Sequence, residues 1–257
     1  MGDNDTNAPR GQGGPKSPPK DSLRGPLPKR FYKDAARIEN QGGFEIALDG
    51  RPVRTPLKRV LRLKDEAYAD LVVSEWAGQG EFIDPGTMPA TRLANSAADT
   101  VTDNRAAVAA EIVAYAGSDL LCYRAANPSG LVARQAEIWD PILAAVEVRI
   151  GSRFVRAEGI VHAEQPALVA ERVADTIEGL PELQLAALQL ITTLTGSAIL
   201  AIALQQGLIG ADAAWAAANV DEDWQIALWG RDEEAEVRRV LRERDFRAAA
   251  AAFAHLR

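Results

Sequence analysis

One cysteine, Cys122, and two histidines, His162 and His255, are all that this chain of 257 residues offers of the side chains that make disulfides, zinc sites and neutral-pH bases. A lone thiol closes no internal disulfide, and two imidazoles cannot complete an ordinary Cys/His zinc site, so a reducing compartment without such a zinc centre is the expectation. Neither histidine lies in a recognisable nucleophile motif, and Cys122 within Leu120-Leu121-Cys122-Tyr123 reads as a small buried apolar residue. Positive charge is also short. Lys and Arg total 29 against 36 Asp and Glu, a net charge of -7 that argues against nucleic acid or anionic lipid as the general partner and favours a basic one.

Residues 1–28 lack any aromatic, hold five Gly and six Pro, and offer only Leu23 and Leu27 as large aliphatic groups; the expectation is a disordered extension. Gly11, Gly13, Gly14, Lys16 and Ser17 do not form a phosphate-binding loop, because Pro15 interrupts them and no apolar strand precedes them. There is no apolar run of a secretory signal, and Asp3, Asp5 and Asp21 are unlike an acid-poor presequence. The expected location is the cytoplasm, or the mitochondrial matrix as its equivalent. Charge is missing altogether from Leu183 through Gly210, long enough to raise a membrane span. Gln184, Gln189, Thr192, Thr193, Thr195, Gln205 and Gln206 would burden a lipid-facing helix, so Leu183–Gln206 reads as one central helix of a protein core, without stable membrane insertion. Gly196-Ser197-Ala198 in its middle would let another helix approach closely.

What is present divides by period. Over residues 29–64, Phe44, Ile46 and Leu48 alternate with Glu45, Ala47 and Asp49, then Asp49-Gly50 supplies a hairpin signal. A second turn is expected at Gly42-Gly43 and one more short strand around Val60, Leu61 and Leu63. From about residue 65 the period becomes 3.6. Tyr68, Val72, Glu75 and Trp76 share one helix face, which predicts a largely buried Trp76. Leu93, Ala97, Val101, Val108, Ile112 and Tyr115 mark one longer helix, with a loop before it at Asp84-Pro85-Gly86 and Met88-Pro89. Leu131, Gln135, Ile138 and Trp139 begin another, which Asp140-Pro141 either kinks or restarts, and Pro166 and Pro181 can open two more. The predicted fold class is α+β: a β-rich N-terminal domain with a small antiparallel sheet over 29–90, then a larger all-helical domain over 91–257.

Residues 207–236 carry eight acids against Arg231 alone, interleaved with Trp215, Trp224 and Trp229; residues 29–64 carry ten Lys or Arg against four acids. Aromatic residues flanked by charge suit a protein-binding surface, and the acids read as exposed charges that the fold does not need. The bland alternative turns the tryptophans into the core. Asp119, Asp140 and Asp221-Glu222-Asp223 could be paired carboxylates of a hydrolase, but consecutive positions on a helix point about 100° apart and rarely converge.

Several segments together resemble a known family. They are Lys29-Arg30-Phe31-Tyr32-Lys33, the run Leu48-Asp49-Gly50-Arg51-Pro52-Val53-Arg54-Thr55-Pro56, Glu75-Trp76 with Gln79, and Met88-Pro89 followed by Thr91-Arg92-Leu93-Ala94-Asn95. Asp119-Leu120-Leu121-Cys122-Tyr123-Arg124, Trp139-Asp140-Pro141, Gly196-Ser197, Asp221-Glu222 with Trp224-Gln225, and Trp229-Gly230 complete the series. The chain is similar to the assembly chaperones of the F-type ATP synthase that look after the alpha subunit of its soluble catalytic sector. The resemblance implies a non-enzymatic chaperone without metal or cofactor, monomeric when free, that covers the free alpha subunit where it will meet beta. It implies client binding at Asp221 or Glu222, with Trp224, Gln225 and Trp229 alongside, and structural roles for Trp76, Arg92, Asn95, Asp119 and Trp139. Ser96 and Ala145 depart from the family pattern. The competing readings are a protein-binding adaptor for another basic client and a carboxylate hydrolase.

Overall fold

The computed structural model describes residues 26–159 and 163–254. The expected extension over 1–28 lies almost entirely outside the described residues, as do His162 and His255. Alternation in the first segment becomes a sheet: β1 (Ala35–Asn40) pairs antiparallel with β2 (Gly43–Leu48) in a register running from Ala35 opposite Leu48 to Asn40 opposite Gly43. β3 (Arg51–Pro52) and β4 (Arg62–Leu63) both pair antiparallel with β2. Asp49 and Gly50 both take positive φ, 47° and 76°, as a two-residue hairpin turn of this hand requires. The other turn falls on Gln41 and Gly42, ahead of Gly43, whose φ of 119° closes it. Ile46, Ala47 and Leu48 are all buried, so the end of β2 is covered on both faces where alternation predicts one.

Asp65 caps α1 (Glu66–Ala77), accepting from the Tyr68 amide, and buries Tyr68 and Val72. The longer helix expected from Leu93 to Tyr115 is instead three pieces: α2 (Pro89–Ser96), a widened π turn at Ala97–Val101, and α3 (Thr102–Ala116), bent at Asn104. The widened turn places buried Asp99 where it accepts from the Thr55 hydroxyl at 2.7 Å and the Leu57 amide at 2.9 Å, which a side-chain period alone does not reveal. α4 (Ser129–Ile150) runs through Pro141 without restarting. Pro141 is exposed, so water can take the carbonyl its ring leaves unbonded. A short parallel pair, β5 (Tyr123–Arg124) and β6 (Ala157–Glu158), flanks it. α5 (Ala167–Ile177) and α6 (Glu182–Thr195) open directly after Pro166 and Pro181, as expected.

The single central helix expected across the uncharged run is two helices, α6 and α7 (Ala198–Gln205). Gly196 ends α6 in the left-handed region at φ 70°, and Ser197 caps α7 through its hydroxyl on the Leu200 amide, 3.0 Å away. A Cβ on Gly196 would touch Leu120 at an ordinary 4.0 Å, so the glycine is there for its backbone angle and not for close helix approach. All eight residues of α7 are buried, which is why the run has no charge. Among the described residues no helix is long and apolar enough to cross a membrane. α8 (Ala211–Ala218), α9 (Val220–Trp229) and α10 (Glu233–Ala251) finish the chain. One cluster of buried residues runs from Tyr32 to Phe253, and the Tyr68 hydroxyl, donating to the Ala248 carbonyl at 3.1 Å, ties α1 to the end of α10.

Replacing Gly196 by Ala should therefore cost about 1–2 kcal/mol through the left-handed angle alone. Urea unfolding should show a lower midpoint with an unchanged slope; an unchanged midpoint would mean the turn tolerates a side chain.

Candidate functional site

Three groups of residues singled out in the sequence occupy three different places. The first is a buried staple. Asp119 is fully buried, with one carboxylate oxygen accepting from the Leu121 amide at 3.0 Å and the Ser197 hydroxyl at 2.7 Å, the other from the Ile199 amide at 2.9 Å. It thus caps the short turn Leu120–Cys122 and the start of α7 together. Burial pushes its carboxyl up to about 6, with those donors pulling the other way. Burial likewise pushes the Cys122 thiol up to about 12, so it is an inert core residue. Trp139 is wholly buried on α4 and donates to the Ala217 carbonyl at 2.8 Å, with the Arg124 guanidinium 5.2 Å from its ring centre.

The second group forms the junction between sheet and helices. Glu75 of α1 accepts from the Ala90 amide, the Thr91 amide and the Thr91 hydroxyl, each at 2.7 Å, and so caps α2 from another helix. Gln79 bridges the connecting loop, donating to the Glu75 carbonyl at 3.0 Å and the Thr87 hydroxyl at 3.1 Å while accepting from the Asp84 amide at 2.7 Å. Trp76 departs from the expectation of a largely buried side chain. It is half-buried, packs edge-on against Tyr32 with ring centres 5.7 Å apart, and its carbonyl accepts from the Tyr32 hydroxyl at 2.7 Å. The cause is its place near the end of α1, where the helix passes the rim of the sheet. Arg92 reaches Asp245 at 2.6 Å, joining α2 to α10, and Asn95 is half-buried in the next turn of α2.

The third group is the acidic segment, and here the two readings of the tryptophans are divided residue by residue. Trp215 is core, 5.2 Å from Phe246 between ring centres. Trp224 is half-buried against Gly130, where a Cβ would come within 2.6 Å of the indole. Trp229 is 82% exposed, and Gln225 is exposed beside it on α9. The acids are not the unattached charges their sequence suggests. Asp221 accepts from Gln135 at 2.7 Å, and that buried glutamine also accepts from the Ala125 amide at 2.8 Å. Glu222 lies 3.6 Å from Arg242 and Asp223 2.6 Å from Arg239, while Asp212 pairs with Arg247. Asp223 holds the Arg239 guanidinium above its ordinary value. The arginines come from α10, more than ten residues further along, and only the helical hairpin brings them to α9. Asp140, the other carboxylate considered for chemistry, sits between Arg124 at 2.8 Å and Arg156 at 3.2 Å. Among the described residues no three His, Cys, Asp or Glu side chains gather as a metal site.

Comparison with known proteins fits this arrangement. Residues 29–147 match the family model described as the ATP12 chaperone protein. The crystal structure of Atp12 from Paracoccus denitrificans superposes with a TM-score of 0.81 at 38% identity, covering 90% of this chain and 99% of that one. Atu1473 of Agrobacterium tumefaciens gives 0.85 at 44% identity, over 92% of this chain and 89% of its own. The mitochondrial protein atp12 of Schizosaccharomyces pombe is 24% identical over 226 residues, 82% of this chain and 78% of that protein.

Two outcomes follow from the buried and half-buried groups. The Asp119 carboxyl holds its proton more tightly folded than unfolded, so its contribution to stability falls as pH rises from about 4 through 6. The stability difference between the protein and Asp119→Asn, measured by denaturant titration, should move against the native carboxyl over that window; a difference that moves the other way would show the donors outweigh burial. Trp76→Ala should fold but lose about 1–3 kcal/mol, less than a fully buried tryptophan costs.

Proposed function

The chain belongs to the ATP12 family of chaperones, and from that premise we propose that it binds the free alpha subunit of the F-type ATP synthase catalytic sector. It shields the surface that this subunit later turns to beta, in the cytoplasm or the matrix, and needs no cofactor to do so. The observation that carries the reading is Trp229. A tryptophan left almost wholly in water at the end of a helix, one turn after the exposed Gln225, gives the fold nothing and gives a partner an anchor of large area and few rotamers. Asp221, Glu222, Trp224 and Gln225 lie on the same helix as that anchor, and Asp221, paired only with the neutral Gln135, leaves negative charge that steers a basic client. The adaptor reading uses the same surface for a different basic protein. The hydrolase reading loses its footing where Asp119 caps backbone amides and Asp140 lies between two arginines.

Titrating the full chain against isolated alpha subunit, with beta as the control, separates these readings. Alpha should bind and beta should not. Trp229→Ala should weaken the alpha complex by about 2 kcal/mol or more, while leaving the thermal midpoint within about a degree, since exposed positions rarely matter to folding. Binding of alpha at wild-type affinity by Trp229→Ala would remove the proposed anchor, and equal binding of alpha and beta would favour the adaptor.

A further inference from the structure

The first three turns of α10 bury no side chain completely: Phe246 is the first fully buried residue of that helix. On those turns Val237 is 62% exposed, Val240 57% and Leu241 45%. Their spacing of three and four puts them on one helix face. Arg239 and Arg242, which hold the acids of α9, point from the opposite face, so the apolar stripe looks outward, away from the rest of the fold. A helix on a monomer's surface normally does the reverse, turning aliphatic side chains inward and arginines to water.

The charges around the stripe are spent unequally. Each arginine from Arg231 to Arg244 already has an acid within ion-pair distance: Arg231 with Glu236, Arg238 with Glu234, Arg239 with Asp223, Arg242 with Glu222 and Arg244 with Asp245. Asp221, Asp232 and Glu233 have no cation partner among the described residues; Asp221 takes only the neutral Gln135, and Asp232 only the Ala235 amide it caps. Glu233 lies one turn before Val237, on the same side of the helix. The unspent charge at this hairpin is negative.

We infer that the outward face of α10, Val237, Val240 and Leu241 with Glu233 at its end, is a docking stripe for an amphipathic segment of the client, one with apolar side chains next to lysine or arginine. This deepens the reading of Trp229 as client anchor and rests on it. The stripe extends the client surface from the end of α9 onto the next helix, so the client is gripped by both arms of one hairpin. A second copy of the chain is the poorer occupant, because it would bring two hairpins with surplus negative charge face to face.

The test uses the full chain and isolated alpha subunit. Val237→Gln, Val240→Gln and Leu241→Gln together place good helix formers on an exposed face, so the thermal midpoint should hold while affinity for alpha falls tenfold or more, which is about 1.4 kcal/mol or more. Glu233→Lys alone should slow association, most at low salt. A Val240→Cys variant carrying a thiol-linked photocrosslinker, with buried Cys122 left unlabelled, should attach to alpha peptides that combine apolar residues with Lys or Arg. If the wild-type chain binds alpha and the triple variant binds equally well, the stripe is not a docking surface, although the Trp229 reading survives. Failure of the wild-type chain to bind alpha removes both. Crosslinks between two copies, a wild-type dimer that the triple variant turns monomeric, or crosslinked client peptides rich in acids would each overturn the assignment of the occupant.

Discussion

A carboxylate with no contact with water fixes the centre of the molecule. Asp119 joins a short turn to the first amides of α7, and among the described residues α7 is the one helix whose every side chain is buried. A buried helix start has amides that water cannot reach, and leaving them unpaired would cost more than ordinary hydrogen bonds return. Ser197 and Asp119 meet that requirement together, one from the helix's own cap and one from a segment almost eighty residues earlier in the chain. With α7 held, α4, α6 and α8 have a surface to pack against, and Trp139 locks α4 to α8 through the Ala217 carbonyl. Glu75 repeats the device at the junction, where a side chain of α1 caps α2 because Met88, at the cap position, has no acceptor to offer.

Much of this was legible in the sequence wherever the signal is local. The Asp49-Gly50 turn, the alternation of β2, the proline-led starts of α5 and α6, and the period of Leu131, Gln135 and Trp139 all lie within a few residues of their cause. What escaped depends on contacts between distant segments. The break at Gly196 hides inside an unbroken apolar run, because hydropathy reports burial and not backbone direction. The widened turn at Ala97–Val101 exists for Asp99 to meet Thr55, a partner more than forty residues away. Trp215, Trp224 and Trp229 look equivalent in sequence, yet their exposure runs from core to open water, because Trp215 meets Phe246, Trp224 meets Gly130 and Trp229 ends α9 82% exposed. The apolar residues of α10 stood isolated among charges, and only the arginine pairs with α9 show which way they point.

The result is a molecule with one stiff part and one available part. Core, junction and buried staple share one cluster of buried residues, whereas the outer half of the α9–α10 hairpin contributes no fully buried side chain from Asp221 to Asp245 and has ion pairs at its own seam. Such pairs contribute modestly and weaken with salt. A surface held in this way keeps its shape without a partner and still has apolar area to cover when one arrives, as a protein that attends an unassembled subunit requires.

The α9–α10 hairpin is the surface proposed to receive the client. Hydrogen exchange of the full chain with and without isolated alpha subunit tests that assignment most directly. Added protection should concentrate in residues 221–245, with amides of the N-terminal sheet unchanged. Protection confined to residues 35–63, with the hairpin exchanging as freely as in the unbound chain, would contradict the assignment.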